Sequence, residues 1–188
     1  MPGTERRSLL PAICADAELS RRQLLLGTAL GLGALALPLR FARAEPAKLP
    51  AATIAALEKS PLIYLSPLHR DGRESKCHGE VWFLWDRDTV LISTAAETWK
   101  ARALKSGLDR ARIWVGDFGP VGRAGDRFRS APSFDARASV ETDRAAFERL
   151  RATFGKKYPE EWGKWEPRFE KGYQDGSRTL IRYSPITA

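Results

Sequence analysis

Cys77-His78-Gly79-Glu80-Val81-Trp82-Phe83-Leu84-Trp85, then Asp86-Arg87-Asp88, then Val90-Leu91-Ile92-Ser93-Thr94, is the stretch on which the fold turns. Residues 79–85 and 90–93 are dominated by aromatic and aliphatic side chains, so they predict two strands. The polar Asp-Arg-Asp between them predicts a hairpin turn. A strand with one wet face alternates apolar and polar residues, yet 81–84 and 90–92 are apolar throughout. That continuity predicts burial on both faces, as in a barrel.

Working outward, 53–59 predicts a short helical turn ended by Ser60-Pro61, and 62–65 a strand before a polar turn containing Asp71-Gly72. Downstream, 99–105 predicts a short helix stopped by Gly107, and 112–115 a fourth strand. Residues 116–127, with four glycines and Pro120, predict an irregular loop, and 136–141 a fifth strand. Residues 143–154 predict a helix started near Asp143, with Phe147, Leu150, Arg151 and Phe154 at helical spacing in core contact. Trp162, Trp165 and Phe169, interrupted by glycine and proline, predict a compact aromatic segment over 158–173 without regular structure, packed in the core. Asp175-Gly176 turns the chain into a final strand at 178–183. The order is mainly β with flanking helices, an α+β class, with no internal repeat.

The amino-terminal part reads differently. Ser20-Arg21-Arg22-Gln23-Leu24-Leu25 followed by a weakly apolar run and Ala42-Arg43-Ala44 looks like a twin-arginine export signal. The run to Leu39 contains Gly27, Gly31, Gly33 and Pro38, so it is expected to be cleaved after Ala44 and to leave no stable membrane anchor. An ordinary secretory signal is the alternative. The expectation is a signal at 1–44, a lead-in at 45–60 and one domain at 61–188, in the periplasm or outside the cell, with the twin-arginine translocase as export partner. Without residues 1–44 the chain keeps 144 residues, enough for one core.

Composition excludes more than it selects. The leader holds six Arg and three acids, so the net charge falls from +8 to +5 without it. No basic block or Arg-rich repeat remains, and no nucleic-acid partner is expected. Cys14 leaves with the signal, so Cys77 is expected to be unpaired, and a thiol hydrolase built on it is a remote third option. With His69, His78 and Cys77 as the only soft ligands, no metal is expected.

The residues that carry chemistry are Ser93-Thr94, then Thr98-Trp99-Lys100 and Arg102. A strand end, hydroxyls, a helix start and two cations within one short segment suit a phosphate. The alternative is equally physical: Thr94 opens a capping box with Glu97, while Lys100 and Arg102 point into water.

Residues 77–83 with Leu91-Ile92-Ser93-Thr94 and 98–104 resemble the pyridoxamine 5′-phosphate oxidase-like split-barrel family. The resemblance covers about 61–115 and, loosely, the last strand. It implies an FMN-binding split β-barrel, with FMN at a homodimer interface. It also implies that Thr94, Thr98 and Lys100 contact the flavin phosphate and that Glu80-Val81-Trp82 lies along the ring system, Trp82 stacking or packing nearby. The chain departs from the oxidase at Trp99, where the pattern has Arg, and at Gly79 and Leu84, which replace basic residues. Arg102, one turn beyond Thr98, is expected to compensate. Arg182-Tyr183-Ser184-Pro185 is similar to the oxidase's Arg-x-x-Pro end, which implies a substrate-site role for Arg182. The functional expectation is an exported FMN-dependent oxidoreductase acting on a small-molecule redox substrate, with no catalytic side chain assigned. A non-catalytic barrel holding haem, with His69 or His78 as ligand, or a deazaflavin is the other reading.

Overall fold

The apolar run at 79–85 makes two strands instead of the single strand expected. A computed structural model describes residues 47–186 of the chain. In it β1 (Ile63–Pro67) pairs with β2 (Gly79–Val81), whereas β3 (Leu84–Asp86) pairs with β4 (Thr89–Ala95). The break falls at Trp82-Phe83, and the backbone of Phe83 bonds to side chains instead of a neighbouring strand. Phe83 N–H donates to Tyr158 Oη at 3.3 Å, and Lys157 Nζ donates to Phe83 C=O at 3.3 Å. The Trp82 ring stacks on Tyr158 at 4.2 Å and 6°.

The remaining strands are β5 (Arg110–Val115), β6 (Ser133–Val140) and β7 (Arg178–Pro185). All pairs are antiparallel, in the order β2-β1-β5-β6-β7-β4-β3. The two edge strands are consecutive in sequence and joined by two residues, so the sheet must curl until its edges meet. Alternation then sorts the side chains. Ile63 and Leu65, Val90 and Ile92, Ala111 and Ile113, Ala136 and Ala138, and Ile181 and Tyr183 fill the interior.

Two helices pack on the interior cluster and two cover part of the outer face. α1 (Ala51–Lys59) contributes Leu57 to the interior cluster, and α2 (Trp99–Lys105) adds Trp99 and Leu104. α4 (Arg144–Lys157) and α5 (Pro159–Asp175) bury Phe147, Leu150, Phe154, Trp162 and Phe169 against Leu84, Leu91 and Leu180. The expected core stripe of α4 is present, with Asp143 accepting from Ala145 N–H at 2.9 Å as its cap.

α5 corrects the expectation of an irregular aromatic segment at 158–173. Pro159 stands at the first helical turn with Glu160 and Glu161, and Gly176 closes the helix in the left-handed region at φ 74°. Pro167 is tolerated because it is exposed and the carbonyl it would crowd belongs to Gly163, also exposed. The expected loop at 116–127 likewise contains α3 (Val121–Ala124), followed by a 3-10 turn (Arg127–Ser130). These lie over Tyr64, Trp114 and Phe128, a third cluster on the outer face.

The β3–β4 hairpin turns through Arg87 and Asp88 at φ 50° and 58°, both left-handed and neither a glycine. Asp88→Gly is expected to stabilise the fold by about 1 kcal/mol, since only glycine reaches that region without cost. The urea midpoint measures it; a lower midpoint would contradict the turn geometry.

Cys77 is disulfide-bonded, which corrects the expectation of an unpaired thiol. The expected signal at 1–44 lies outside the described residues. No helix among the described residues is long and apolar enough to cross a membrane.

Candidate functional site

Thr94 continues the interior row of β4 after Val90 and Ile92, and it pairs with Thr179 across β7. It is therefore strand, and the capping-box alternative fails: the residue preceding α2 is Thr98, whose side chain does not cap the helix either. Thr98 Oγ1 donates to Ala95 C=O at 2.9 Å. With its single proton committed there, it accepts from Thr94 Oγ1 at 2.9 Å. Two hydroxyls thus stand together where β4 turns into α2. The helix itself has only seven residues, so little of the anion attraction can be assigned to its dipole.

α2 lies across one end of the barrel. A Cβ at Gly79 would meet the Trp99 ring at 3.7 Å, an ordinary van der Waals contact, so the indole lies against β2 at this end. Trp99 thereby packs on the interior cluster, in place of the cation that the resembled pattern puts there. Lys100 Nζ sits 4.3 Å from the Trp99 ring centroid. Burial pulls its ammonium down to about 8, opposed by the charge of Glu80. No carboxylate among the described residues comes within ion-pair reach of it. Arg102 is exposed on the same helix.

Glu80 and Val81 lie on β2, which among the described residues pairs only with β1, so one of its backbone edges has no strand partner among them. Val81 faces the interior, paired with Ile63; Glu80 faces outward beside Tyr64. The Glu80 carboxylate accepts from Val121 N–H at 2.9 Å, and Tyr64 Oη accepts from Phe118 N–H at 3.0 Å. Both fasten the glycine-rich loop over the outer face.

The other expected residues are placed apart. Ser93 points to the face opposite Thr94, where its Oγ accepts from Arg178 Nε at 3.1 Å. Arg178 in turn lies 3.8 Å over the Phe169 ring, so Ser93 belongs to the seat of α5. Trp82 is stacked on Tyr158. Arg182 pairs with Leu91 on the outer face, three residues along β4 from Thr94, or roughly 10 Å. It donates to Glu141 at 2.7 Å and to Thr89 Oγ1 at 2.6 Å. Asp86, held by Arg149 at 2.9 Å, completes that network 3.7 Å from Arg182. The burial of Asp86 raises its carboxyl, but the bonds and charges of Arg149 and Arg182 outweigh this and hold it below the usual range.

Sequence reasoning missed Lys157 and Tyr158. Burial pushes the Tyr158 phenol up and the Lys157 ammonium down to about 8. Their role depends on contacts with residues more than seventy positions away, which no local pattern announces. Pro159-Glu160-Glu161 was the available signal for the helix that positions them.

No protein-family model matches this sequence, and no curated protein matches it. Solved structures do. The haem storage protein HutZ from Vibrio cholerae superposes with a TM-score of 0.50 at 16% identity, over 72% of this chain and 89% of that one. The fold is a split barrel. A Clostridium acetobutylicum protein related to general stress protein 26, of the pyridoxinephosphate oxidase family, is similar at a TM-score of 0.46 and 15% identity, over 71% and 80% of the two chains. So is an F420 reductase, at 0.42 and 17%, over 74% and 97%. The split-barrel fold expected from the sequence is thus present.

Proposed function

We propose that this split barrel binds FMN at the α2 end and serves as an exported flavin-dependent oxidoreductase for a small redox substrate. The observation that carries the reading is Lys100, a desolvated cation with no carboxylate in ion-pair reach among the described residues, on the helix that follows the paired hydroxyls of Thr94 and Thr98. A dianionic phosphate supplies a countercharge and accepts from Lys100, and it would accept from Thr94 once that hydroxyl turns its proton away from Thr98. Arg102 reaches the same end from the exposed side of α2. The edge of β2 without a strand partner among the described residues offers backbone N–H and C=O groups to the polar rim of a flavin ring. Trp82, committed to Tyr158, supports that strand from behind. Bound flavin supplies hydride or electron transfer; the chain's residues bind, orient and desolvate it. A substrate role for Arg182 would require it to leave Glu141 and Thr89.

The protein isolated from its native compartment tests the reading. Flavin absorption, with FMN released on denaturation, is the expected result. A Soret band would transfer the site to haem, and a barrel that neither carries nor binds flavin would overturn it.

Affinity should also follow the Lys100 proton. Its folded-state value is lowered from 10.5 to about 8, so the free site loses its positive charge as pH rises through 8. FMN binding is therefore expected to weaken between about pH 7 and 9.5 while riboflavin binding stays level, read by flavin fluorescence. Parallel curves would place the phosphate away from Lys100.

Export by the twin-arginine route, read from Arg21-Arg22, belongs to the same proposal. Replacing both by Lys should trap the protein in the cytoplasm with residues 1–44 attached. Undiminished export would contradict it.

A further inference from the structure

The interior is not filled where α2 crosses it. A small cavity there is walled by Leu65, Ala111 and Ala138 and reached by three polar side chains, Lys100, Arg110 and Tyr183. Its free space is that of about one water-sized guest. Tyr183 is only 3% exposed, on the interior row opposite Val90, and its hydroxyl meets no hydrogen-bond partner among the described residues. Arg110 Nε is buried and likewise unpartnered, while the far end of the same guanidinium lies 3.7 Å from Asp135. Of these two groups Arg110 Nε is the fully buried one, and a fully buried donor without a partner is rare and calls for a guest.

We propose that this cavity is an internal site for one small monovalent anion of halide size, held by Tyr183 Oη–H, Arg110 Nε–H and the Lys100 ammonium. None of the lining side chains carries a carboxylate, and the only side-chain oxygen is the phenol. An anion accepts from all three donors. A water would accept from two and have only the phenol lone pair to receive its own protons. The charge agrees as well: Arg110 is 37% exposed and lies 3.7 Å from Asp135, so the cation left to balance against the apolar walls is Lys100. Lys100 has three ammonium protons, enough to face this guest and an external phosphate together. The inference does not depend on flavin binding.

Bromide is the probe. In crystals of the full chain grown with sodium bromide, anomalous density is expected within hydrogen-bond reach of Tyr183 Oη and Arg110 Nε. In solution, thermal unfolding in bromide is expected about 3–6 °C above that in gluconate, an anion too large to enter, at equal ionic strength. Tyr183→Phe keeps the ring and removes the donor, so this difference should vanish whatever the variant's own stability. Density absent from the cavity, or the same bromide increment in Tyr183→Phe, would overturn the proposal.

Discussion

Phe154→Ala is expected to cost the fold about 3–5 kcal/mol, the largest effect of any single truncation considered for this barrel. Phe154 is fully buried, and its ring meets Trp82, Tyr158, Trp162 and Phe169 edge-on, with centroids 5.1 to 5.9 Å apart. Truncation would leave a void among four rings that are each held by other contacts, so the site has little room to collapse. Total stability for a domain of this size is roughly 5–15 kcal/mol, and the loss would consume much of it. Guanidinium midpoints read the effect against Trp165→Ala, whose ring is 38% exposed and whose loss should stay within about 0.5 kcal/mol. A cost under about 1 kcal/mol for Phe154→Ala would mean that the α4–α5 cluster does not hold the Trp82-Phe83 break in place.

The second large effect concerns binding. Lys100→Ala is expected to weaken FMN by about 1.5–3 kcal/mol, roughly tenfold to a hundredfold, while leaving riboflavin unchanged. The variant should fold. The ammonium value of Lys100 is depressed in the native state, so its charge opposes folding below about pH 8, and wild-type stability gains only as pH rises from there toward 10.5. Removing the amine removes that penalty at neutral pH. Lys105→Ala, exposed at the far end of α2, is the control and should change neither affinity. Equal loss of both ligands in Lys100→Ala would make the residue a support of the fold.

Much of this architecture was legible because it is written in local patterns. The double-sided apolar run of β4 announced a strand buried on both faces, and the spacing of Phe147, Leu150 and Phe154 announced the core face of α4. The split of 79–85 was not legible, because Trp82-Phe83 is as good a strand sequence as its neighbours. Only Lys157 and Tyr158, brought in at the junction of α4 and α5, divert its backbone bonds. α5 was hidden by Gly163 and Pro167, which its exposed face tolerates, and by the buried Gly172, where a Cβ would meet Arg178.

The candidate site divides in the same way. Thr94, Thr98, Trp99 and Lys100 are brought together by a short strand-to-helix turn, which sequence spacing can express. Ser93 drops out of that group for the simplest reason available to a strand, since its neighbour Thr94 points the other way. Arg182 looked available in sequence because Glu141, Thr89 and Asp86 approach it only through the sheet register. Tyr183, one residue later, gave no sign of chemistry until the register turned it into the barrel.

The most direct test is a calorimetric comparison of FMN with riboflavin on the purified protein, stripped of any bound chromophore, at pH 7. A phosphate held by Lys100 and Thr94 predicts that FMN binds at least tenfold tighter than riboflavin. Equal affinities, or no heat from either ligand, would contradict a flavin phosphate at the α2 end of the barrel.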